Sequence, residues 1–321
     1  MKPIIGISAG DPAGIGLEVT LKALPSLLDE AQWILFADSK DFVRNLTRFS
    51  PDLDWREYDP AHTDTTPGLL LNYLPNEITP PKWGHGSKAT GKQALLALEQ
   101  VSAAALRGLV GGIVTAPVNK QCIGKHFLGQ TDFLAVRANI DRYAMSFFTP
   151  TFKVVLATRH LALKSALEEL SIELYLDLIN LTHRELGRFG SSPPRIALAG
   201  VNPHAGEGGL FGREESEIME PAVRSAQAEG IQVIGPFPAD SLYYRAHMGE
   251  FDVVIAPYHD QALIPVKLLA RYSTTNVTLG LPYIRTSPDH GTAFDIAGSG
   301  EASFAGMLTA LETALHLIQT N

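Results

Sequence analysis

Cysteine is almost missing from this chain: Cys122 stands alone, so no disulfide can form within it. That fits a reducing compartment, and cytoplasmic residence is expected. Nothing beside Cys122 suggests an activated thiol, and it reads as a small core side chain. Long apolar runs are also absent, none reaching the ~18 residues of a membrane span. The amino-terminal MKPIIGISAG carries one lysine and too short an apolar run for a secretory signal. Positive charge is scarce: 26 Lys and Arg stand against 34 Asp and Glu, a formal net charge of −8. This balance argues against a nucleic-acid-binding surface. It leaves small anionic ligands open, because a local basic cluster can outweigh the total. Neither an internal repeat nor a low-complexity tract occurs.

What is present is an ordinary globular balance, 45% hydrophobic and 19% charged over 321 residues. That length supports one large core, or two lobes with a cleft. Val- and Ile-rich runs predict strands at 3–8, 33–37, 69–74, 112–116, 153–158, 195–200, 232–236, 252–257 and 276–279. Helical periodicity falls at 16–28, 88–106, 172–186, 214–229 and 301–319. Strands without polar alternation are what a sheet covered on both faces requires. The expectation is an α/β protein with a largely parallel sheet. Residues 50–67 and 76–86 read as proline-rich and polar loops, neither of them a convincing linker. Two lobes built from discontinuous segments would place no visible boundary in the sequence.

Three of the strand-like runs end in histidine: KVVLATRH at His160, RIALAGVNPH at His204 and DVVIAPYH at His259. In open α/β sheets, ligands collect beyond the carboxyl ends of the strands. Three imidazoles delivered there can share one divalent metal with a coordination position left open, a catalytic pattern. A single histidine in that context is an ordinary polar residue closing a strand.

Other segments carry chemistry too. Gly10-Asp11-Pro12-Ala13-Gly14-Ile15-Gly16 follows a strand and opens a helix, but lacks the G-x-G-x-x-G spacing of a dinucleotide fingerprint. It reads as a tight active-site turn, or simply as a strand-to-helix connection. In Asn202-Pro203-His204-Ala205-Gly206-Glu207-Gly208-Gly209 the glycines permit close backbone approach. Glu214 and Glu215 stand where a helix begins, which suits its dipole without any functional role. If they converge, Lys267, Asn276 and Arg285 would make a clamp for phosphate or carboxylate, whereas each charge alone reads as a surface residue; with Thr131 they point to a small phosphorylated substrate. Asp240 and Asp260 are candidate proton acceptors, or partners that orient a metal-bound imidazole.

GDPAGIG, TAPVNK at 115–120, NPHAGE, PAD at 238–240, YHDQ, NVTLGLPYIRTS and DHGTA occur in one order along the chain. In this the sequence resembles the 4-hydroxythreonine-4-phosphate dehydrogenase (PdxA) family over essentially its whole length. The resemblance implies a two-lobed α/β/α fold like isocitrate and isopropylmalate dehydrogenases, not a Rossmann domain. It implies a homodimer whose subunits share active sites. It assigns the divalent metal, zinc or alternatively magnesium, cobalt or manganese, to His160, His204 and His259. Substrate falls to Gln130, Thr131, Lys267, Asn276 and Arg285. The cofactor, NAD or NADP, falls near 276–295, with Asp289, His290, Gly291, Thr292 and Asp295 as its contacts. One position departs: the family's Gly-His-Thr-Glu is Gly129-Gln130-Thr131-Asp132 here, and Gln130 cannot become cationic. Ala262 also replaces a glycine common after HDQ.

The expected reaction is oxidation of 4-phosphooxy-L-threonine followed by decarboxylation to 3-amino-2-oxopropyl phosphate, in vitamin B6 biosynthesis. Lys120, Asp240 and Asp260 are the candidate general bases. A related branch acts on 4-phospho-D-threonate and 4-phospho-D-erythronate. Outside that class stand a metal-dependent phosphohydrolase and a non-catalytic metabolite-binding protein. The retained histidines and cations weigh against the latter.

Overall fold

Buried aliphatic runs drive the architecture, and most of them become strands. The computed structural model describes residues 2–60, 66–75, 78–190 and 193–320. Residues 61–65 and 76–77, inside the loops expected at 50–67 and 76–86, lie outside the described residues. In chain order the strands are β1 Ile4–Ser8, β2 Gln32–Ala37, β3 Trp55–Glu57, β4 Gly68–Tyr73, β5 Gly112–Thr115 and β6 Ala144–Phe148. There follow β7 Lys153–Leu156, β8 Ile196–Ala199, β9 Val233–Phe237, β10 Val253–Ala256, β11 Thr275–Leu279 and β12 Ile284–Pro288.

The chain divides into two compact units, Met1–Ile140 with Leu281–Gln319, and Asp141–Gly280 with Thr320–Asn321. In the first unit the strand order is β3-β4-β2-β1-β5-β12, every pair parallel. Its core gathers Ile5, Ile7, Trp33, Leu35, Leu69 and Leu311, buried among helices. Each such side chain contributes roughly 1.5–3 kcal/mol by leaving water. The helix Lys88–Leu106 starts at a reciprocal cap: Thr90 N–H donates to Ser87 Oγ, and Ser87 N–H to Thr90 Oγ1. Asp38 caps the helix Ser39–Phe49, accepting from the amides of Lys40 and Asp41 at 3.0 Å each.

In the second unit the order is β11-β6-β7-β10-β8-β9, antiparallel from β11 through β7 and parallel beyond. Phe152, Val154, Leu156, Val254, Leu242 and Val266 form its core.

Three strands depart from the sequence reading. β3, β6 and β12 carry Arg, Ser or Thr among few aliphatic residues, so no apolar run marks them. His259 does not close a strand: β10 stops at Ala256, and His259 opens the helix His259–Ala270. The expected helix 214–229 begins as a π-turn, Glu215–Met219, before Glu220–Ala228.

Candidate active site

In the first unit three motif loops leave the carboxyl ends of adjacent parallel strands, β1, β5 and β12. They are the Gly10–Gly16 turn, the segment from Thr115 to Lys120 and the stretch 289–295. Backbone contacts join them: Asp11 N–H donates to Pro117 O at 3.0 Å, and Ile15 N–H to Thr292 O at 3.1 Å. Gly10 has φ +77°, and a Cβ there would lie 2.4 Å from Pro117 O, so only glycine fits. Asp11 is buried and accepts from Ala13 N–H at 3.0 Å. Burial raises its carboxyl above the ordinary range, while Ala13 and Thr90 pull it down. His290 places Nδ1 3.1 Å from Gly291 O, and burial lowers its imidazole. Asp289 and Thr292 are half-buried, Gly291 and Asp295 exposed.

Arg285, second residue of β12, is 3% exposed. Its Nε and Nη2 donate to Thr115 Oγ1 at 3.2 and 2.8 Å, and Nη1 to Thr131 Oγ1 at 3.3 Å. Burial lowers the guanidinium to about 10, so it stays cationic at neutral pH. A cation held out of water among hydroxyls is a strong anion receptor. Gln130 opens the helix Gln130–Arg137 and donates Nε2–H to Ala116 O at 3.1 Å. That bond fixes the amide's orientation, because the flipped form would set two acceptors together. Gln130 Oε1 is buried and has no hydrogen-bond partner among the described residues. Lys120 is exposed at the start of a short helix capped by Asn119.

In the second unit the histidines follow β7, β10 and β8, which are neighbours in that order. Side-chain bonds stitch the three strand ends together. Thr158 Oγ1 donates to Pro257 O at 2.8 Å, and Gln261 Nε2 to Gly200 O at 2.9 Å. His160 and His259 rings lie 5.9 Å apart. They share a cavity of about 150 Å³ with Thr158, Leu161, Tyr258 and Asp260. His204 instead lies 6.2 Å from the Phe211 ring. Among the described residues no three His, Cys, Asp or Glu side chains stand close enough together to hold a metal ion. The donor set still fits a divalent cation. His259 Nδ1 is 2.8 Å from Asp260 Oδ1, which leaves Nε2 for a ligand, and the other imidazoles leave the same sheet edge.

The loop carrying His204 is unusual. From His204 to Gly208 every residue has positive φ: 52°, 52°, 79°, 42° and 67°. This left-handed turn costs about 1–2 kcal/mol at each non-glycine residue, so about 3–6 kcal/mol over His204, Ala205 and Glu207. His160 also has φ 45°. Such strain persists only when neighbours hold it, and Glu214 and Glu215 stand beside the turn. Besides standing at a helix start, both carboxylates accept from Asn202. Glu214's own amide and the Asn202 side chain hold its carboxyl below the usual range.

Of the remaining residues, Asn276 is buried in β11, paired with Phe147 of β6. Lys267 is exposed in the last turn of His259–Ala270, and Asp240 is exposed in the first turn of Ala239–His247. Thr115, Asn202, Glu214, Glu215 and Gln261 are site-edge residues that the sequence reading did not assign. Thr115, Asn202 and Gln261 sit inside the motifs TAPVNK, NPHAGE and YHDQ, which was the available signal.

The family described as pyridoxal phosphate biosynthetic protein PdxA matches residues 29–314. A 4-hydroxythreonine-4-phosphate dehydrogenase of Beijerinckia indica is 39% identical over 318 residues, 98% of this chain and 94% of that one. A D-threonate 4-phosphate dehydrogenase of Pectobacterium atrosepticum is 40% identical over 326 residues, 99% and 100% of the two chains. The solved structure of a 4-hydroxythreonine-4-phosphate dehydrogenase from Klebsiella pneumoniae superposes with a TM-score of 0.89 at 39% identity, covering 99% of each chain. A β-decarboxylating dehydrogenase from Thermococcus kodakarensis, 14% identical with a TM-score of 0.51 over 98% and 83% of the chains, shares the fold alone. The expected α/β, non-Rossmann fold class, shared with that β-decarboxylating dehydrogenase, is therefore the observed one. Matched over nearly its whole length by relatives and structures alike, the chain belongs to the PdxA family and is an oxidoreductase working with a nicotinamide cofactor.

Proposed function

We propose that the chain oxidises the secondary hydroxyl of 4-phosphooxy-L-threonine with NAD or NADP and releases carbon dioxide, giving 3-amino-2-oxopropyl phosphate for pyridoxal phosphate synthesis. The observation that carries this reading is Arg285, a buried cation braced by Thr115 and Thr131 as a phosphate or carboxylate receptor would be. Gln130, Thr131, Lys267, Asn276 and Arg285 are the proposed substrate contacts. Asp289, His290, Gly291, Thr292 and Asp295 are the proposed cofactor contacts. His160, His204 and His259 are the residues that would hold a divalent cation, zinc or alternatively magnesium, cobalt or manganese. Such a cation, when bound, supplies positive charge to oxygens that become more negative during oxidation and decarboxylation. Asp260 orients the His259 ring through Nδ1. Asp240, Asp260 and Lys120 are the proposed acceptors of the hydroxyl proton.

A second reading, oxidation of 4-phospho-D-threonate or 4-phospho-D-erythronate, is favoured by Gln130. One of its two amide N–H donors is bound to Ala116 O and the group cannot carry charge, so it does not replace a cationic imidazole at the phosphate. We place the enzyme in the cytoplasm as a homodimer. Exposed Ile264 and Leu268, one turn apart, and nearby Tyr272 form an apolar stripe suited to a second copy.

The deciding experiment offers the three phosphorylated acids with each cofactor and several divalent metals. Reduced nicotinamide formed with one of them is the expected result, and the preferred acid decides between the readings. His204→Ala should abolish turnover and weaken metal retention while the fold persists. Phosphate release with no nicotinamide reduction would replace the proposal with a hydrolase.

A further inference from the structure

We infer that Glu215, assisted by Glu214, is the positioning residue for His204: the paired carboxylates lock Asn202 and thereby hold the left-handed turn that presents the imidazole. This inference rests on the proposed metal-holding role of His204.

Glu215 is 3% exposed, yet it faces no cationic side chain in the bonds it makes here. Its Oε1 accepts the Asn202 backbone N–H at 2.7 Å, and its Oε2 accepts Asn202 Nδ2–H at 2.9 Å. Glu214 Oε2 accepts from the same Nδ2 at 2.7 Å and from Arg213 N–H at 3.0 Å. The amide of Asn202 can face only one way, because its oxygen would otherwise confront two carboxylates. Asn202 is thus fixed at both backbone and side chain, immediately before the turn.

The turn closes back on the same clamp. Ala205 N–H donates to Asn202 O at 3.0 Å, and Phe211 N–H to Gly206 O at 3.2 Å. At Gly206, φ is +79°, and a Cβ would lie 2.7 Å from Glu215 Oε2. At Gly212 a Cβ would lie 2.4 Å from Asn202 Nδ2. Two glycines are therefore required by the clamp itself. Acidic residues at a helix start usually serve the helix's own amides. These two turn back to Asn202, two residues before His204, which a general helix-dipole role does not explain.

The test uses the full-length metal-free protein, with Zn²⁺ affinity read by competition against a chromogenic chelator and melting temperature as the fold control. Glu215→Gln keeps one acceptor but sets a second donor against Asn202 Nδ2. Gly206→Ala disturbs the turn from its other side and leaves both carboxylates intact, so it serves where Glu215→Gln fails to fold. Either change should weaken Zn²⁺ binding by about 10–100-fold. The decisive readout is the double variant: in a His204→Ala background, Glu215→Gln should cause no further loss. Equal losses with and without His204 would make Glu215 a general structural residue and overturn the proposal. Wild-type affinity in Glu215→Gln and Gly206→Ala, with affinity lost in His204→Ala, would overturn it while leaving the metal site standing. Wild-type affinity in His204→Ala would sink both.

Discussion

Asp41 should make the stability of this protein depend on pH in a direction opposite to that of an ordinary carboxylate. Its side chain is 2% exposed and meets Arg44, with Asn45 Nδ2 at 3.3 Å. Burial is the largest influence and drives its carboxyl from 3.8 to about 7, with Asp38 and Asp11 adding to the rise and Arg44 opposing it. The folded state thus binds this proton more tightly than the unfolded chain. The resulting stabilisation is complete below about pH 4 and is lost as pH rises through about 7. Across that window the loss runs at about 1.4 kcal/mol per pH unit. Asp41→Asn keeps the shape and cannot ionise. Urea unfolding of both proteins between about pH 5 and pH 8 should show the variant gaining on the wild type by about 1.4 kcal/mol per unit until about pH 7. A stability difference that stays flat across that window would refute the reasoning. Arg44 also donates to Pro12 O at 3.1 Å and lies 4.1 Å over the Trp83 ring, so the same proton bears on the Gly10–Gly16 turn.

Arg285→Lys keeps the charge but loses the fork that spans Thr115 and Thr131, and KM for the phosphorylated acid should rise about 10–100-fold, matching about 1.5–3 kcal/mol of charge-assisted bonding. Steady-state kinetics showing an unchanged KM would remove Arg285 from the substrate contacts. Gln130→His restores a side chain able to carry charge and should shift kcat/KM toward 4-phosphooxy-L-threonine relative to 4-phospho-D-threonate. Identical ratios in the two proteins would show that position 130 does not select the substrate.

Much of this molecule was legible because burial on both faces leaves a plain trace. The Val and Ile runs that became β1, β2, β7, β8 and β10 needed no partner to be recognised, and the histidines after three of them shared a context. β12 was invisible for the opposite reason: Ile-Arg-Thr-Ser-Pro buries polar groups whose bonds are made by distant residues. Arg285 satisfies itself on Thr115 and Thr131, and Thr286 donates to Ala310 O at 2.8 Å. No window of sequence holds both ends of those bonds. Glu214 and Glu215 show the same limit, since helical spacing explains their location but not the bending of both side chains onto Asn202.

Residues 141–280 are continuous, whereas the first unit waits for 281–319 before β12 can pair with β5. During synthesis, the earlier segment must spend the translation time of the whole inserted unit with the β5 edge bare. An exposed parallel edge of Gly-Ile-Val-Thr invites association with other chains. Truncation ahead of Ile284 should accordingly yield an aggregating fragment rather than a smaller enzyme, and buried Arg285 and the sealing of that edge arrive together in the same five residues.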